Sequence, residues 1–297
     1  MKFLLLSALA LLLLAAPAQA STIVLTDDGH RITSRGDIRP DDRFRVGSVS
    51  KTFIATTILQ LEAEGRLSLD DPVDRYVPGT RPVPLRRLLD HTSGFFNHAE
   101  DPRVFEGWPL KHWQPHELVS ISLEHPPVAG FHYSNTNYVL LGLVIERVTG
   151  RAFARELERR IIRPLHLRAT RYDEGPRVRG VVRGVSDGTN VTVQDTSWAG
   201  AAGALVSSAR DLARFYGNLD RLLRPKQLAA MKASDTYGLG LFGIKTPCGR
   251  AWGHNGKVPG YFTNAFTRGN RTVVVLVNRQ PVDEPPVMRA LVKALCS

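Results

Sequence analysis

Cysteine is nearly absent. The 297 residues hold only Cys248 and Cys296, too few for a disulfide scaffold and too far apart in sequence for a Cys-x-x-Cys redox or zinc site. Acidic residues are in short supply, 28 against 39 Lys and Arg, for a formal net charge of +11. Such a balance can mark a nucleic-acid binder. Here the arginines are dispersed, apart from a looser cluster over residues 163–183, so no nucleic-acid partner is expected. There is no low-complexity tract, internal repeat or Gly/Ser-rich linker, which excludes wholesale disorder, collagen-like and solenoid architectures. After the first 20 residues no apolar run approaches the ~20 needed to cross a bilayer; residues 138–145 are apolar but brief.

What is present begins with Lys2, an apolar stretch over residues 3–16 and Pro17-Ala18-Gln19-Ala20. These are the parts of a secretory signal peptide over residues 1–20, cleaved after Ala20. The expectation is a secreted, extracytoplasmic protein with no stable membrane anchor, its catalytic domain spanning residues 21–297. Attraction to an anionic cell envelope is then one use of the positive charge. Scattered surface arginine without a role is the other. Two cysteines in an exported chain favour a disulfide, which for this loop would contribute about 4 kcal/mol. Two lone thiols are the alternative.

Periodicity gives the elements. Residues 23–33 read as strand, tight Asp27-Asp28-Gly29 turn and strand. Residues 48–64 read as a helix with Phe53, Ile54, Ile58 and Leu61 on its apolar face and Gly65 as its stop. Helices follow over 115–124, 135–149, 152–162 and 208–219, in a largely helical subregion of about 76–224. Past residue 235 the period becomes two, with strands over 237–242, 261–267 and 272–278 and a closing helix over 285–295. Strands at both chain ends around a helical middle predict an α/β (α+β) fold. One antiparallel sheet is built from both ends and flanked by helices, with a groove between.

The chemistry starts at Ser48-Val49-Ser50-Lys51, the single Ser-x-x-Lys of the chain. On a helix the i,i+3 spacing sets the Lys51 amine beside the Ser48 hydroxyl. A serine is a poor nucleophile until a base takes its proton, and a desolvated lysine can be that base. Tyr133-Ser134-Asn135 opens the 135–149 helix. Tyr133 becomes a phenolate base if a lysine ammonium lowers its pKa, or else is a core tyrosine; Asn135 binds substrate or caps the helix. His254-Asn255-Gly256 falls on or beside a strand, where glycine admits close backbone approach to a ligand. His91-Thr92-Ser93-Gly94 reads as a structural turn, and Trp198 as core or pocket wall. The histidines lack metal-ligand spacing, so neither metal nor cofactor is expected.

Ser-x-x-Lys, Tyr-Ser-Asn and a late His-x-Gly in this order resemble the penicillin-recognising serine enzymes. Tyr-x-Asn is similar to the branch of class C β-lactamases, DD-peptidases and related esterases. Ser197-Trp198-Ala199, Tyr237-Gly238-Leu239-Gly240-Leu241 and Cys248-Gly249 look like the secreted actinomycete D-alanyl-D-alanine carboxypeptidases. The resemblance implies a β-lactamase/transpeptidase-like fold and a penicillin-binding monomer cleaving D-Ala-D-Ala stem peptides of peptidoglycan through an acyl-enzyme on Ser48. Lys51 and Tyr133 would share the proton work and His254 would support Tyr133. Asn135, Asn255, Gly256, Lys257 and Trp198 would line the substrate site, with the N–H groups of Ser48 and Lys257 as oxyanion hole. β-Lactam antibiotics would be the second class of ligand. Two positions depart from that group: Asn255 where threonine is usual, and Phe242 where an arginine can hold the terminal carboxylate. Lys257 or Arg250 is the candidate replacement for it. The N-terminal strand region also looks shortened. A class C-like β-lactamase, a serine esterase of the same fold and a catalytically silent envelope-binding protein are the competing readings.

Overall fold

In Thr22–Asp27 (β1) the fully buried Ile23 and Leu25 alternate with half-exposed neighbours, the signature of a strand with one well-covered face. The chain turns through Asp27-Asp28-Gly29, Gly29 taking φ +83°, into the exposed edge strand Ile32–Gly36 (β2). A small sheet follows, in which Phe44–Arg45 (β3) and Arg171–Tyr172 (β4) flank Leu205–Ser207 (β5). Phe242–Thr246 (β6), Gly249–Val258 (β7), Tyr261–Arg268 (β8) and Arg271–Val277 (β9) complete the main sheet, in the order β2-β1-β9-β8-β7-β6. All its pairings are antiparallel, and Thr22 stands opposite Val277, so the two ends of the domain share one ladder. The computed structural model describes residues 21–297 other than 30 and 235; the expected signal peptide lies outside the described residues.

The two faces of the sheet have separate cores. Val274 and Leu276 pack with the main core, whereas Val273, Val275 and Val277 join Leu291 and Leu295 of the last helix, Glu284–Cys296. This is why β9 reads as continuous valine and leucine rather than as alternation: both faces are covered. Between the sheet and the other helices runs Ser50–Ala63 (α1), buried from Ser50 to Leu59 and again at Leu61. The expected apolar stripe is thus a fully enclosed helix. Its threonines return their hydroxyls to protein carbonyls: Thr56 to Thr52 at 2.7 Å, Thr57 to Phe53 at 3.1 Å and Thr52 to Gly240 at 2.7 Å. Around it lie Leu85–Leu89 (α2), Pro115–Glu124 (α3), Asn135–Thr149 (α4), which Gly150 ends at φ +69°, and Ala209–Tyr216 (α5). We number Glu284–Cys296 α6.

Three expectations change in detail. The 152–162 helix is Phe153–Leu157 followed by a π-helical turn, Glu158–Ile162. The 208–219 helix breaks at Gly217-Asn218, both poor helix formers. The strand expected over 237–242 begins only at Phe242: Gly240 adopts φ +80° and the Gly238 N–H turns back to the Leu241 carbonyl at 2.8 Å, leaving Tyr237 a single bridge to Phe242. The strand that carries His254 is instead the ten-residue β7.

Cys248 and Cys296 are disulfide-bonded, with Cα atoms 5.6 Å apart, tying the end of α6 to the β6–β7 turn. Breaking a link that closes a loop of this length should cost about 4 kcal/mol. Denaturant titration with and without reductant checks this; coincident midpoints would show that α6 holds by packing alone.

Candidate active site

Ser48 sits in the 3-10 turn Gly47–Val49 that feeds α1. Two glycines let β7 lie on this turn. Gly47 has φ +55°, and a Cβ there would come within 2.8 Å of the Lys257 backbone N. A Cβ on Gly256 would stand 2.0 Å from the Val46 carbonyl oxygen and 3.2 Å from the Ser48 N. Side chains are excluded at both positions, and the Ser48 and Lys257 amides are brought onto adjoining stretches of backbone.

The Lys51 amine is the hub. It is fully buried and donates to Asn135 Oδ1 at 2.7 Å and to the Ala202 carbonyl at 2.9 Å; its third contact, with Ser48 Oγ at 3.1 Å, is one an ammonium donates and a neutral amine accepts. No carboxylate is among these partners, and burial pushes its pKa well below the usual lysine value. The Tyr133 ring centroid lies 4.8 Å from Lys51 Nζ. Burial moves the Tyr133 phenol up, and a hydrogen bond with Ser48 opposes that only in part. Burial thus disfavours both the ammonium and the phenolate, so these surroundings work against an ammonium–phenolate pair. With its carboxamide oxygen on Lys51, Asn135 keeps its NH2 for another acceptor.

His254 is 1% exposed and does not bond Tyr133; their ring centroids are 6.4 Å apart. Its Nδ1 faces the Asn255 carbonyl, so Nδ1 carries the hydrogen and Nε2 accepts from the Tyr237 hydroxyl at 2.9 Å. Burial and the Lys51 charge lower its pKa to about 3. Tyr237 is therefore a site residue that sequence reading placed on a strand. The only signal for it was its place before Gly238-Leu239-Gly240-Leu241.

His91 is another that sequence reading passed over as a turn residue. It is completely buried at φ +61°, 4.2 Å from the Tyr133 ring and 4.6 Å from that of Tyr237. Its Nδ1 accepts from the Ser134 N–H at 3.1 Å and from Asn137 Nδ2 at 3.2 Å. This fastens the backbone between Tyr133 and Asn135. On the other flank, Arg45 of β3 is 1% exposed and donates to the carbonyls of Asp173, Gly175 and Gln194 and to Thr196 Oγ1. It anchors the segment leading to Trp198 and Ala202. Trp198 is half-buried, its ring 5.1 Å from Phe105 and its carbonyl accepting from His98 Nε2 at 2.8 Å.

Strand parity sorts the rest. Trp252, like His254, faces the main core, whereas Lys257 stands opposite Phe262, a member of the α6-side core. The exposed Lys257 ammonium is ion-paired with Glu284 of α6. It is on the far face of the sheet from Ser48, so only its backbone is at the site. Asn255, half-buried, shares that parity. Arg250 lies over the Trp252 ring, 5.4 Å from its centroid. Phe242 packs edge-on to His254 at 5.4 Å.

Comparison with known proteins agrees with this geometry. The family model described as Beta-lactamase matches residues 18–295. PbpX of Bacillus subtilis (strain 168), a protein named for penicillin binding, is 28% identical over 286 residues, 86% of this chain and 70% of that one. Among solved structures, a D-stereospecific amidohydrolase from Streptomyces sp. has a TM-score of 0.85 and 35% identity, covering 91% of this chain and 93% of its own. A D-amino acid amidase from Ochrobactrum anthropi SV3 gives 0.80 and 28%, covering 92% and 94%.

Replacing His91 by Leu should cost about 1–3 kcal/mol, the penalty for stranding the Ser134 N–H. His91→Asn, which keeps an acceptor and tolerates positive φ, should lose less than half of that. Equal losses in denaturant midpoint would mean the ring, not its Nδ1, matters. Acid should also weaken the fold. His98 and His254 stay neutral when folded down to about pH 4 and about pH 3, and burial also lowers His91 well below the usual histidine value. The unfolded chain protonates near the ordinary histidine value of 6.5, so stability is full above it and falls below it. The loss is up to about 1.4 kcal/mol per pH unit for each group. Denaturant midpoints across that window measure it, and His98→Gln should flatten the slope.

Proposed function

The chain belongs to the beta-lactamase family of serine hydrolases, and from that premise we propose that it is a D-stereoselective amidohydrolase working through an acyl-enzyme on Ser48. The observation that carries the reading is the fully buried Lys51 amine, 3.1 Å from Ser48 Oγ and shifted by burial toward its uncharged form. It takes the hydroxyl proton as Ser48 attacks the amide carbonyl. The oxyanion is received by the N–H groups of Ser48 and Lys257, the Asn135 NH2 holds the substrate amide, and Trp198 walls the acyl side. Tyr133, a phenol at rest, protonates the leaving nitrogen and is replenished from the Lys51 ammonium. The C–N bond breaks and an ester on Ser48 remains. Water, deprotonated by the Lys51 amine, then attacks that ester, and the Lys51 ammonium returns the proton to Ser48 Oγ as the acid leaves. His254 acts through Tyr237, which packs against the Tyr133 ring at 6.1 Å.

Preference for the D configuration is supported by the two solved neighbours named for D-stereospecific and D-amino acid amide hydrolysis. The D-Ala-D-Ala carboxypeptidase is the second reading, favoured by the relative named for penicillin binding. It requires a cation for the terminal carboxylate. Phe242 stands at the position of the carboxypeptidase arginine, and the Lys257 ammonium is engaged by Glu284 on the other face. Arg250 is four residues from His254 along β7, about 13 Å away by strand rise. A neutral amide or ester end therefore suits the site better than a free carboxylate. An extracytoplasmic location is supported by the Cys248–Cys296 bond.

The test is kcat/KM for paired D- and L-amino acid amides and for an N-acyl D-Ala-D-Ala peptide. D-amides should exceed both by at least about tenfold, a difference of 1.4 kcal/mol at the barrier. A peptide faster than its amide would move the assignment to carboxypeptidase. Ser48→Ala should remove at least about 10⁴-fold of activity, and turnover surviving in that variant would refute Ser48 as nucleophile. Intact-mass measurement after benzylpenicillin separates a trapped acyl-enzyme from an enzyme that destroys the drug.

A further inference from the structure

A second groove, of about 710 Å³, shares no residue with the Ser48 site. It is lined by four arginines: Arg43 just before β3, Arg168 before β4, and Arg210 and Arg214 one turn apart on α5. His166, at φ +51°, adds a fifth nitrogenous group. Two carboxylates share the groove, and both are committed. Asp41 accepts from Arg210 Nε at 2.8 Å. Asp211 is 3% exposed and turns to the Ala169 N–H at 2.7 Å and the Thr170 hydroxyl at 2.9 Å.

The remaining guanidinium groups are not neutralised by contact. Arg214 donates only to the carbonyls of Leu165 and His166, at 3.4 and 3.1 Å. Arg43 reaches the Arg168 carbonyl at 3.5 Å, and its Nε is a buried donor with no partner. Arg168 and His166 are exposed, and their side chains have no hydrogen-bond or ion-pair partner among the described residues. Asp211 answers Arg214 electrostatically, so Arg43 and Arg168 are the forks left without a counter-charge. Guanidinium donors lining one open concavity suit the tetrahedral oxygens of a polyvalent anion, since guanidinium pairs bidentately with phosphate.

We propose that this groove is a binding site for a multiply charged phosphate oxyanion of di- or triphosphate size, held by Arg43, Arg168 and Arg214. Four arginines against two aspartates leave the groove a formal +2, half of which a monovalent anion would leave unanswered. The site gives part of the +11 net charge a location and a ligand, independently of which amide Ser48 cleaves.

The probe is inorganic tripolyphosphate, titrated calorimetrically into the full chain at low ionic strength. The expected result is saturable binding at one site per chain. Arg43→Ala with Arg168→Ala should weaken it about 100-fold, two charge-assisted contacts at roughly tenfold each. The charge-matched control, Arg224→Ala with Arg289→Ala, should stay within about twofold, because it removes only long-range field. Arg168→Ala alone, at an exposed position, provides the roughly tenfold loss should the double variant fail to fold. Competition by a glycerol-phosphate polymer would assign the phosphate to a polymer, and its absence to a free anion. Titration without saturation, or equal losses in groove and control variants, would overturn the proposal and leave only the attraction of a basic surface.

Discussion

One buried amine sets the terms for everything near it. Lys51 Nζ joins three distant parts of the chain, its own helix start at Ser48, the start of α4 at Asn135 and the turn ending at Ala202. Because no carboxylate accompanies it, nothing nearby offsets the cost of burying its charge. The cost spreads to its neighbours: burial, helped by the Lys51 charge, pushes His91, His98 and His254 toward neutrality, and burial holds Tyr133, Tyr138 and Tyr237 as phenols. The burial of α1 from Ser50 to Leu59 is what keeps water from this cluster.

Positioning falls to a shell of rigid contacts around that amine. His91 fastens the Ser134 amide, Arg45 pins the segment before Trp198, and Gly47 with Gly256 let β7 lie against the turn that carries Ser48. Each is a small local expense: positive φ at His91, a desolvated guanidinium at Arg45, lost side chains at the two glycines. Such departures from ordinary sequence preference cluster where geometry matters more than stability.

The parts of the site that were readable in the sequence are those fixed by local geometry. Ser48 and Lys51 are one helical turn apart, and Tyr133 with Asn135 brackets a helix start, so their spacing, with the three motifs taken together, marked residues that the fold does bring together. His254 could be singled out, but its partner could not, because Tyr237 approaches it from 17 residues upstream across a loop. The misread strand over 237–242 shows why: Tyr237, Leu239 and Leu241 alternate with glycines as a strand would, yet the positive φ at Gly240 makes the segment a turn. The same error hid the parity of β7. With that strand assigned in full, Lys257 would have fallen on the α6 side and could not have been offered as a carboxylate anchor. The main sheet, by contrast, was legible because hairpin turns and the valine run of β9 carry their own pattern.

The ladder between β1 and β9, with Thr22 opposite Val277, has a consequence for the order of events in synthesis. The serine and its lysine leave the ribosome long before β7, which brings the Lys257 amide and His254. The sheet cannot close until the last strands have emerged. Contacts of such long sequence separation form late and slowly. Hydrolytic competence is thus withheld from every shorter nascent chain. A truncated product would be an exposed half-sheet rather than a weakened enzyme, a substrate for quality control before it could be a catalyst.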